Sequence, residues 1–342
     1  MKILVTANHT PFIAGGANYH VEGLVAALRL YGHQVECLRL PFHYEEAQIE
    51  RQMMFAEQLD LSAPNDVAVD RVISLQFPTY GVQHPEHVIW LMHQHRVCYE
   101  LYNPSQASAA LTALKPQVEA FDQRHLGAAK RLYANSPRVA ERLSHYNGLS
   151  AVPLYHPPYQ AEQFVCGDDW GYVFYPSRLE PLKRQSLLID ALALTKTPVT
   201  LLLAGEGSQR RQLETQIDKL ELSNRVRFLG HISEQEKHTL YAHSLAVAFP
   251  TFDEDYGYIT LEAMLASKPV ITCTDSGGPI GFVEHGVTGW HCEPSPQALA
   301  DVLDEAYTHR AMAKWMGEQG REAYQAANIS WHRVVTTLVY DE

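Results

Sequence analysis

The feature that narrows the fold furthest is an alternation between short apolar runs and stretches with helical spacing. Lys2–Ala7 (KILVTA) is such a run, and beyond a glycine-containing loop Val21, Leu24, Val25 and Leu28 recur at i, i+3, i+4 and i+7. That spacing predicts a helix closing at Gly32. Further runs follow at QVECLRL, DRVISLQF, HVIWLM and RLYANS, with helical segments between several of them. Strands covered by helices on both faces are apolar throughout, so this order predicts βαβ units and a mostly parallel sheet.

The alternation breaks between Tyr155 and Gly171, where YHPPYQAEQFVCGDDWG holds paired prolines, two glycines and paired aspartates. Such punctuation marks a linker. It then restarts with YVFYPS, a helix around QSLLIDALAL, PVTLLLAGEG, RVRFLG, LAVAFP, a helix beginning near Tyr258, and PVITCT. After Pro294 the chain turns helical, and ISWHRVVTTLVY predicts a last amphipathic helix. The expected class is therefore α/β, with two doubly wound parallel-sheet domains: residues 1–158, residues 159–325, and a C-terminal helix in 326–342. A chain of 342 residues is long enough to give each half its own core.

Composition removes several functions. The formal net charge of −12 argues against a large nucleic-acid footprint or a strong hold on anionic lipid, since both need clustered Lys and Arg. The five cysteines are odd in number and widely spaced with no C-x-x-C pair, which suggests neither a disulfide framework nor a zinc site. They fit a reducing, cytoplasmic setting. The opening MKILVTANHT is too short an apolar run for a signal-peptide core or a membrane span.

Doubly wound sheets place ligands at the carboxyl ends of their strands. In the first half, Gly15 and Gly16 precede a helix, where bare backbone amides suit an anion as well as a tight turn. In the second half Arg178 and Lys183 follow the first strand; a planar guanidinium and a mobile ammonium suit paired phosphates, although solvated surface cations are the commoner fate of such a pair. Gly205 and Gly207 follow the next strand, but Arg210 stands where the third glycine of a dinucleotide fingerprint belongs, which weakens a nicotinamide reading. Near the helix of DEDYGYITLEAM, Glu254 is expected in the loop, with Glu262 about a turn in. Carboxylates there accept paired hydroxyls as readily as they cap a helix. Asp253–Glu254–Asp255 has the outline of a D-x-D metal site, yet it lacks further placed ligands, and no metal is expected.

EDYGYITLEAMLASKPVI resembles the E-x7-E signature of the retaining glycosyltransferases of family 4, a group 1 family. The likeness runs along the chain: GGANYHVEGLVAALRLYGHQV is similar to their first loop and helix, WLMH to a histidine-ending strand, SRLEPLK to a phosphate-binding pair, and TDSGGPIGFVEHGVTGW to a late glycine-rich loop. The resemblance implies the GT-B fold, two Rossmann-like domains facing a central cleft, with the C-terminal helix packing back towards the first. It implies that Arg178 and Lys183 hold the diphosphate of a nucleotide sugar, assisted by Gly15 and Gly16. Glu262 would bind the ribose; Glu254, with Tyr256, Gly257 and Tyr258, would hold the transferred sugar, and His93 would touch that sugar from the other domain. Gly205 and the backbone near Ile232 would lie against the nucleotide. His93 and His95 are expected on one strand face. The implied mechanism is transfer with retention, the leaving phosphate deprotonating the acceptor hydroxyl.

Two positions depart from the family pattern. Ser267 replaces a usual glycine, which alters a helix cap. Gly281 stands where an acid is usual, and no contact is assigned there. The expected function is transfer of a hexose-type sugar to a carbohydrate or small-molecule acceptor, with no cofactor beyond the nucleotide diphosphate sugar as co-substrate. No nucleic-acid partner is expected, and membrane association is not the favoured reading. The alternatives are an epimerase of similar fold or a non-catalytic nucleotide-sugar binder. Tyr99 and Tyr102 suit either a sugar platform or a packed helix start.

Overall fold

The computed structural model describes residues 1–12 and 15–340. It divides into two units, Met1–Tyr159 with the chain from Ser330 onward, and Gln160–Ile329. The second crossover lies four residues beyond the expected 325 because a helix runs on through Ala326.

In the first unit the elements are β1 (Lys2–His9), α1 (Gly16–Leu30), β2 (Gln34–Pro41), α2 (Glu46–Glu57), β3 (Arg71–Ser74), β4 (His87–Leu91), α3 (Ala109–Ala128), β5 (Arg131–Ala134), α4 (Pro137–Asn147) and β6 (Val152–Pro153). All pair in parallel, in the order β2-β1-β3-β4-β5-β6. The central strands β3 and β4 are buried on both faces. Val88 and Trp90 of β4 enter one core with Ile3, Val5 and Leu24, while Ile89 and Leu91 enter another with Met53, Val118 and Leu143. β3 is shorter than its apolar run because the chain turns after it, Thr79 donating its amide to the Gln76 carbonyl at 2.8 Å. The two-residue β6 carries no apolar run to announce it, and its Val152 is exposed.

The last helix, Trp331–Tyr340, completes this unit. Its Val334, Val335, Leu338 and Val339 lie in the same core as β1 and α1. Close approach to α1 requires a glycine: a Cβ on Gly23 would sit 2.3 Å from the Trp331 ring. The helix's final carbonyls, on Leu338 and Val339, accept from the buried Arg71 guanidinium at 2.8 and 2.6 Å, where the helix dipole favours a cation.

The second unit contains β7 (Tyr172–Pro176), α5 (Gln185–Leu194), β8 (Thr200–Ala204), α6 (Arg210–Lys219), β9 (Val226–Gly230), α7 (Glu234–Ala242), β10 (Ala246–Ala248), α8 (Tyr258–Leu265), β11 (Val270–Cys273), β12 (Gly289–Cys292), α9 (Pro296–Thr308) and α10 (Arg310–Ala326). The order is β12-β11-β10-β7-β8-β9, again all parallel. β7 is both first in sequence and central, so connections leave it in opposite directions and open a crevice between the loops after β7 and β10. β12 was not expected, since GWHC is no apolar run. It begins on Gly289, where a Cβ would meet the Val270 carbonyl at 2.2 Å.

The first unit buries an unusual set of titratable groups. Burial lowers His20, drives His87 and His95 down to about 4 and His156 to about 3, while it raises the Asp122 carboxyl to about 7. The histidines bind protons only when the chain unfolds, so their stability is present above pH 6.5 and is lost as pH falls towards 4. Asp122 works the other way, its contribution being lost as pH rises through 7, but four groups oppose one. Thermal unfolding followed from pH 7.5 to 4.5 should show a falling midpoint below 6.5, and His156→Phe should flatten that slope. An equally steep slope in the variant would remove His156 from the set.

Candidate functional site

Three loops leave the carboxyl ends of β7, β10 and β11 and are tied to one another. After β7, a single 3-10 turn at Pro181–Lys183 leads to Arg184, whose φ of 52° is left-handed. The Lys183 ammonium pairs with the Glu254 carboxylate and lies 5.2 Å from the Phe249 ring centroid. Arg184 holds Asp275 by two bonds of 2.7 Å, a geometry that raises the guanidinium further above its ordinary range. Arg178 is exposed, and its guanidinium makes no hydrogen bond or ion pair with the described residues.

The acidic loop is held mainly through its backbone. The amides of Asp253 and Glu254 donate to the carbonyls of Asp275 (3.0 Å) and Ser276 (2.9 Å), and the Gly278 amide donates to the Glu254 carbonyl at 2.8 Å. Gly277 and Gly278 allow this approach, because a Cβ on either would fall 2.6 or 2.8 Å from a carbonyl oxygen of Glu254 or Asp255. Thr251 closes the set, its hydroxyl donating to the Leu182 carbonyl at 3.0 Å while its own carbonyl accepts from Ser276 at 2.8 Å. The N-cap of α8 is Gly257, at a φ of 85°, so neither Asp253 nor Asp255 takes that position. Asp253 is instead buried, at a φ of 44°.

Glu262, fifth in α8, is buried against α7. One carboxylate oxygen lies 3.1 Å from the Lys237 ammonium, and the other accepts from the Tyr241 hydroxyl at 2.7 Å. Burial, then the nearby carboxylate, push the Tyr241 phenol well up, so it remains a donor. Lys237 also pairs with Glu234 at 2.8 Å. Tyr256 is buried with its ring 4.5 Å from that of Tyr258.

The other sequence-derived residues fall outside this network. The Gly205 amide donates to the Gly230 carbonyl at 2.7 Å, and its φ of 126° brings the loop so near Ser177 that a Cβ would lie 2.3 Å from that carbonyl. Its glycine therefore serves loop packing. Ile232 is half-buried in a groove of about 710 Å³ with Phe228, Gln235 and Thr239. In the first unit Gly15 is the exposed N-cap of α1, its carbonyl accepting from Asn18 at 2.9 Å, and Gly16 is the helix's first residue. The neighbouring Ile13 and Ala14 lie outside the described residues.

His93 corrects the expected strand. β4 stops at Leu91, so His93 is in irregular chain, exposed, with Nδ1 2.7 Å from the Gln94 carbonyl. It shares no strand face with His95, which is half-buried and stacked 5.0 Å from Phe77. Among the described residues no group of three or more His, Cys, Asp or Glu is placed to hold a metal. Tyr99 is packed, its hydroxyl donating to Asp122 at 2.7 Å.

Several members of the network were not singled out in the sequence, Arg184, Asp275, Lys237 and Tyr241 foremost. Arg184 and Asp275 adjoin residues that were, in LKRQ and TDSGG. Lys237 and Tyr241 carry the one usable signal: spaced i, i+4, they share a face of α7.

Residues 162–323 match the family described as Glycosyl transferases group 1. The D-inositol 3-phosphate glycosyltransferase of Mycolicibacterium smegmatis is 29% identical over 265 residues, covering 68% of this chain and 57% of that protein. The alpha-1,3/1,6-mannosyltransferase of Homo sapiens is 28% identical over 161 residues, 42% of this chain and 38% of that one. The chain thus spans roughly two fifths to three fifths of the length of these two relatives. Among solved structures, sucrose-phosphate synthase from Thermosynechococcus elongatus superposes with a TM-score of 0.82 at 20% identity, over 98% of this chain and 97% of that one. Anabaena HepE in complex with UDP-glucose gives 0.73 at 19%, over 100% and 99%. At these identities the likeness shows the fold, two Rossmann-like units of the GT-B class.

Ser267, the residue at the usual glycine position, follows α8 with a φ of 54°, and the Lys268 amide closes the turn on the Ala263 carbonyl at 2.8 Å. This is a left-handed C-cap that favours glycine. Ser267→Gly should stabilise the protein by about 0.5–1 kcal/mol, since relief of the left-handed cost exceeds the added chain entropy of glycine. Chemical denaturation measures it, and a destabilised variant would contradict the strain argument.

Proposed function

Through residues 162–323 the chain belongs to the group 1 glycosyl transferases, and on that premise we propose that it transfers a hexose-type sugar from a nucleoside diphosphate sugar to a hydroxyl of a carbohydrate or small-molecule acceptor, with retention and without a metal. The observation that carries the reading is the arrangement at the crevice beside β7. An exposed Arg178 without a partner among the described residues stands on the same short segment as Lys183, whose ammonium is held by Glu254.

Such a pair can exchange partners. An incoming diphosphate displaces Glu254 from the Lys183 ammonium and draws in Arg178, and the released carboxylate accepts hydroxyl hydrogen bonds from the sugar. Negative charge grows on the diphosphate as the glycosidic bond to the donor breaks. Two cations fixed near it stabilise that state more than the ground state, which is where rate is gained. Lysine suits the exchange because its single charge pivots on a flexible stem. The departing phosphate oxygen takes the proton of the acceptor hydroxyl on the face it leaves, so the anomeric configuration is kept.

Glu262 has the chemistry to bind the ribose hydroxyls once Lys237 and Tyr241 share its oxygens, and the amides near Tyr256 and Gly257 add donors at the start of α8. UDP is the first nucleotide to try, given the UDP-glucose held by HepE of Anabaena.

Thermal stabilisation by UDP, GDP, ADP and NAD at matched concentration tests the donor. One nucleoside diphosphate should stabilise the wild type by about 2.7 kcal/mol at a hundred times its Kd, and Glu262→Ala should lose that shift. Stabilisation by NAD alone would overturn the reading. Lys183→Ala, folded as judged by its unfolding midpoint, should lose at least about 100-fold in turnover, comparable to removal of one preorganised donor. An unchanged rate would remove Lys183 from the chemistry.

A further inference from the structure

Cys273 and Cys292 are paired across neighbouring strands. They are register partners at the ends of β11 and β12, so their side chains leave the sheet on the same face. Both are reduced. Cys273 is fully buried, whereas Cys292 is half-buried on β12, an outermost strand of its sheet. We propose that Cys273 and Cys292 form a reversible disulfide, a redox modification site that acts on the loop Thr274–Gly278.

The geometry permits the bond but does not make it free of strain. Adjacent strands lie about 4.7–4.9 Å apart, inside the Cα window of about 4.4–6.8 Å that disulfides occupy. The Cβ atoms must come to about 3.5–4.5 Å, closer than the strand spacing, so closure draws the ends of β11 and β12 together. Strained disulfides are the more easily reduced, the character of a regulatory bond rather than a permanent staple. The two thiols differ in access and acidity, which assigns their roles. The neighbouring Cys273 lowers the Cys292 thiol, while Cys292 and burial together raise that of Cys273; the Cys292 Sγ lies 3.8 Å from the Thr272 carbonyl. Cys292, the more accessible sulfur, is the attacking thiolate.

A small disulfide supplies the oxidising equivalents. The Cys292 thiolate attacks one sulfur of RSSR, forms a mixed disulfide and expels RS⁻, which takes up a proton as RSH. Cys273 then attacks the Cys292 sulfur, its proton passing to the second RS⁻ as that group is expelled and leaves as RSH. In sum two protein thiols and RSSR give one protein disulfide and two RSH, with two electrons passed to the oxidant.

The loop after Cys273 would feel the change at once. The Cys273 amide donates to the Ser276 hydroxyl at 3.1 Å, the Ser276 amide donates back to the Cys273 carbonyl at 3.0 Å, and the Thr274 amide donates to the Cys292 carbonyl at 2.9 Å. Asp275 and Gly278, on the same loop, hold Arg184 and the Glu254 carbonyl. A pull on Cys273 therefore reaches both charge-bearing segments of the crevice. The consequence for nucleotide binding rests on the function proposed above; the bond itself does not.

The full-length protein, incubated with oxidised glutathione and then alkylated, should yield a peptide linking Cys273 to Cys292, absent in Cys292→Ser and reversed by dithiothreitol. Glutathione adducts on Cys166 or Cys292 without the internal link would overturn the proposal. Hydrogen exchange of the Glu254 and Gly278 amides should be faster in the oxidised form, and unchanged exchange would overturn the coupling to the loop. With the link formed, a nucleoside diphosphate that stabilises the reduced protein should bind the oxidised one at least about threefold more weakly; equal affinity would also refute the coupling. Both the link and the exchange are read without nucleotide, so a protein that binds no nucleotide in either state refutes the donor reading alone.

Discussion

Parallel strand pairing is the constraint from which the rest follows. A parallel strand must return to the same end before its neighbour can begin, so each connection becomes a crossover, and helices come to cover both faces of the sheet. Every strand therefore points its carboxyl end to one edge. In the second unit the reversal at β7 places the loops after β7, β10 and β11 beside one another on that edge. The charged residues meet there because the backbone leaves them no other place.

What holds those loops is a combination of weak and strong terms. A half-exposed ion pair contributes little by itself. Asp275 is different, since its carboxylate clamps Arg184 with two bonds while its carbonyl accepts the Asp253 amide. Arg184 and Asp253 both lie in the left-handed region, a conformation that persists only where the surroundings over-determine it. One residue thus fixes two strained ones on separate loops. The Lys183–Glu254 contact, by contrast, has a single ammonium and a flexible stem and is the part free to change.

Much of this was legible beforehand, for reasons particular to each residue. Val21, Leu24, Val25 and Leu28 announced α1 because a helix must bury one stripe, and KILVTA or YVFYPS announced strands because buried strands are apolar throughout. β6 and β12 left no such trace: one is two exposed residues, the other opens on a glycine chosen for the carbonyl it touches. Arg178, Lys183, Glu254 and Glu262 could be singled out because residue type and strand-end position coincide. Their partners were harder to find: Asp275 matters through a contact made far along the chain, and Lys237 and Tyr241 offer only their i, i+4 spacing. His93 was assigned to a strand that ends two residues earlier, the usual fate of a boundary read from an apolar run.

The missing side chain at Gly23 has a temporal consequence. The pocket it leaves is filled by Trp331, and the core it adjoins takes four more side chains from the final helix. As the chain emerges from a ribosome, the first unit is the earliest to appear and the last to have all its parts. The Gln160–Ile329 unit, continuous in sequence, has its whole core available before the first unit can close. Until then the apolar face of α1 stands open, and a nascent chain in that condition is the form a chaperone would meet.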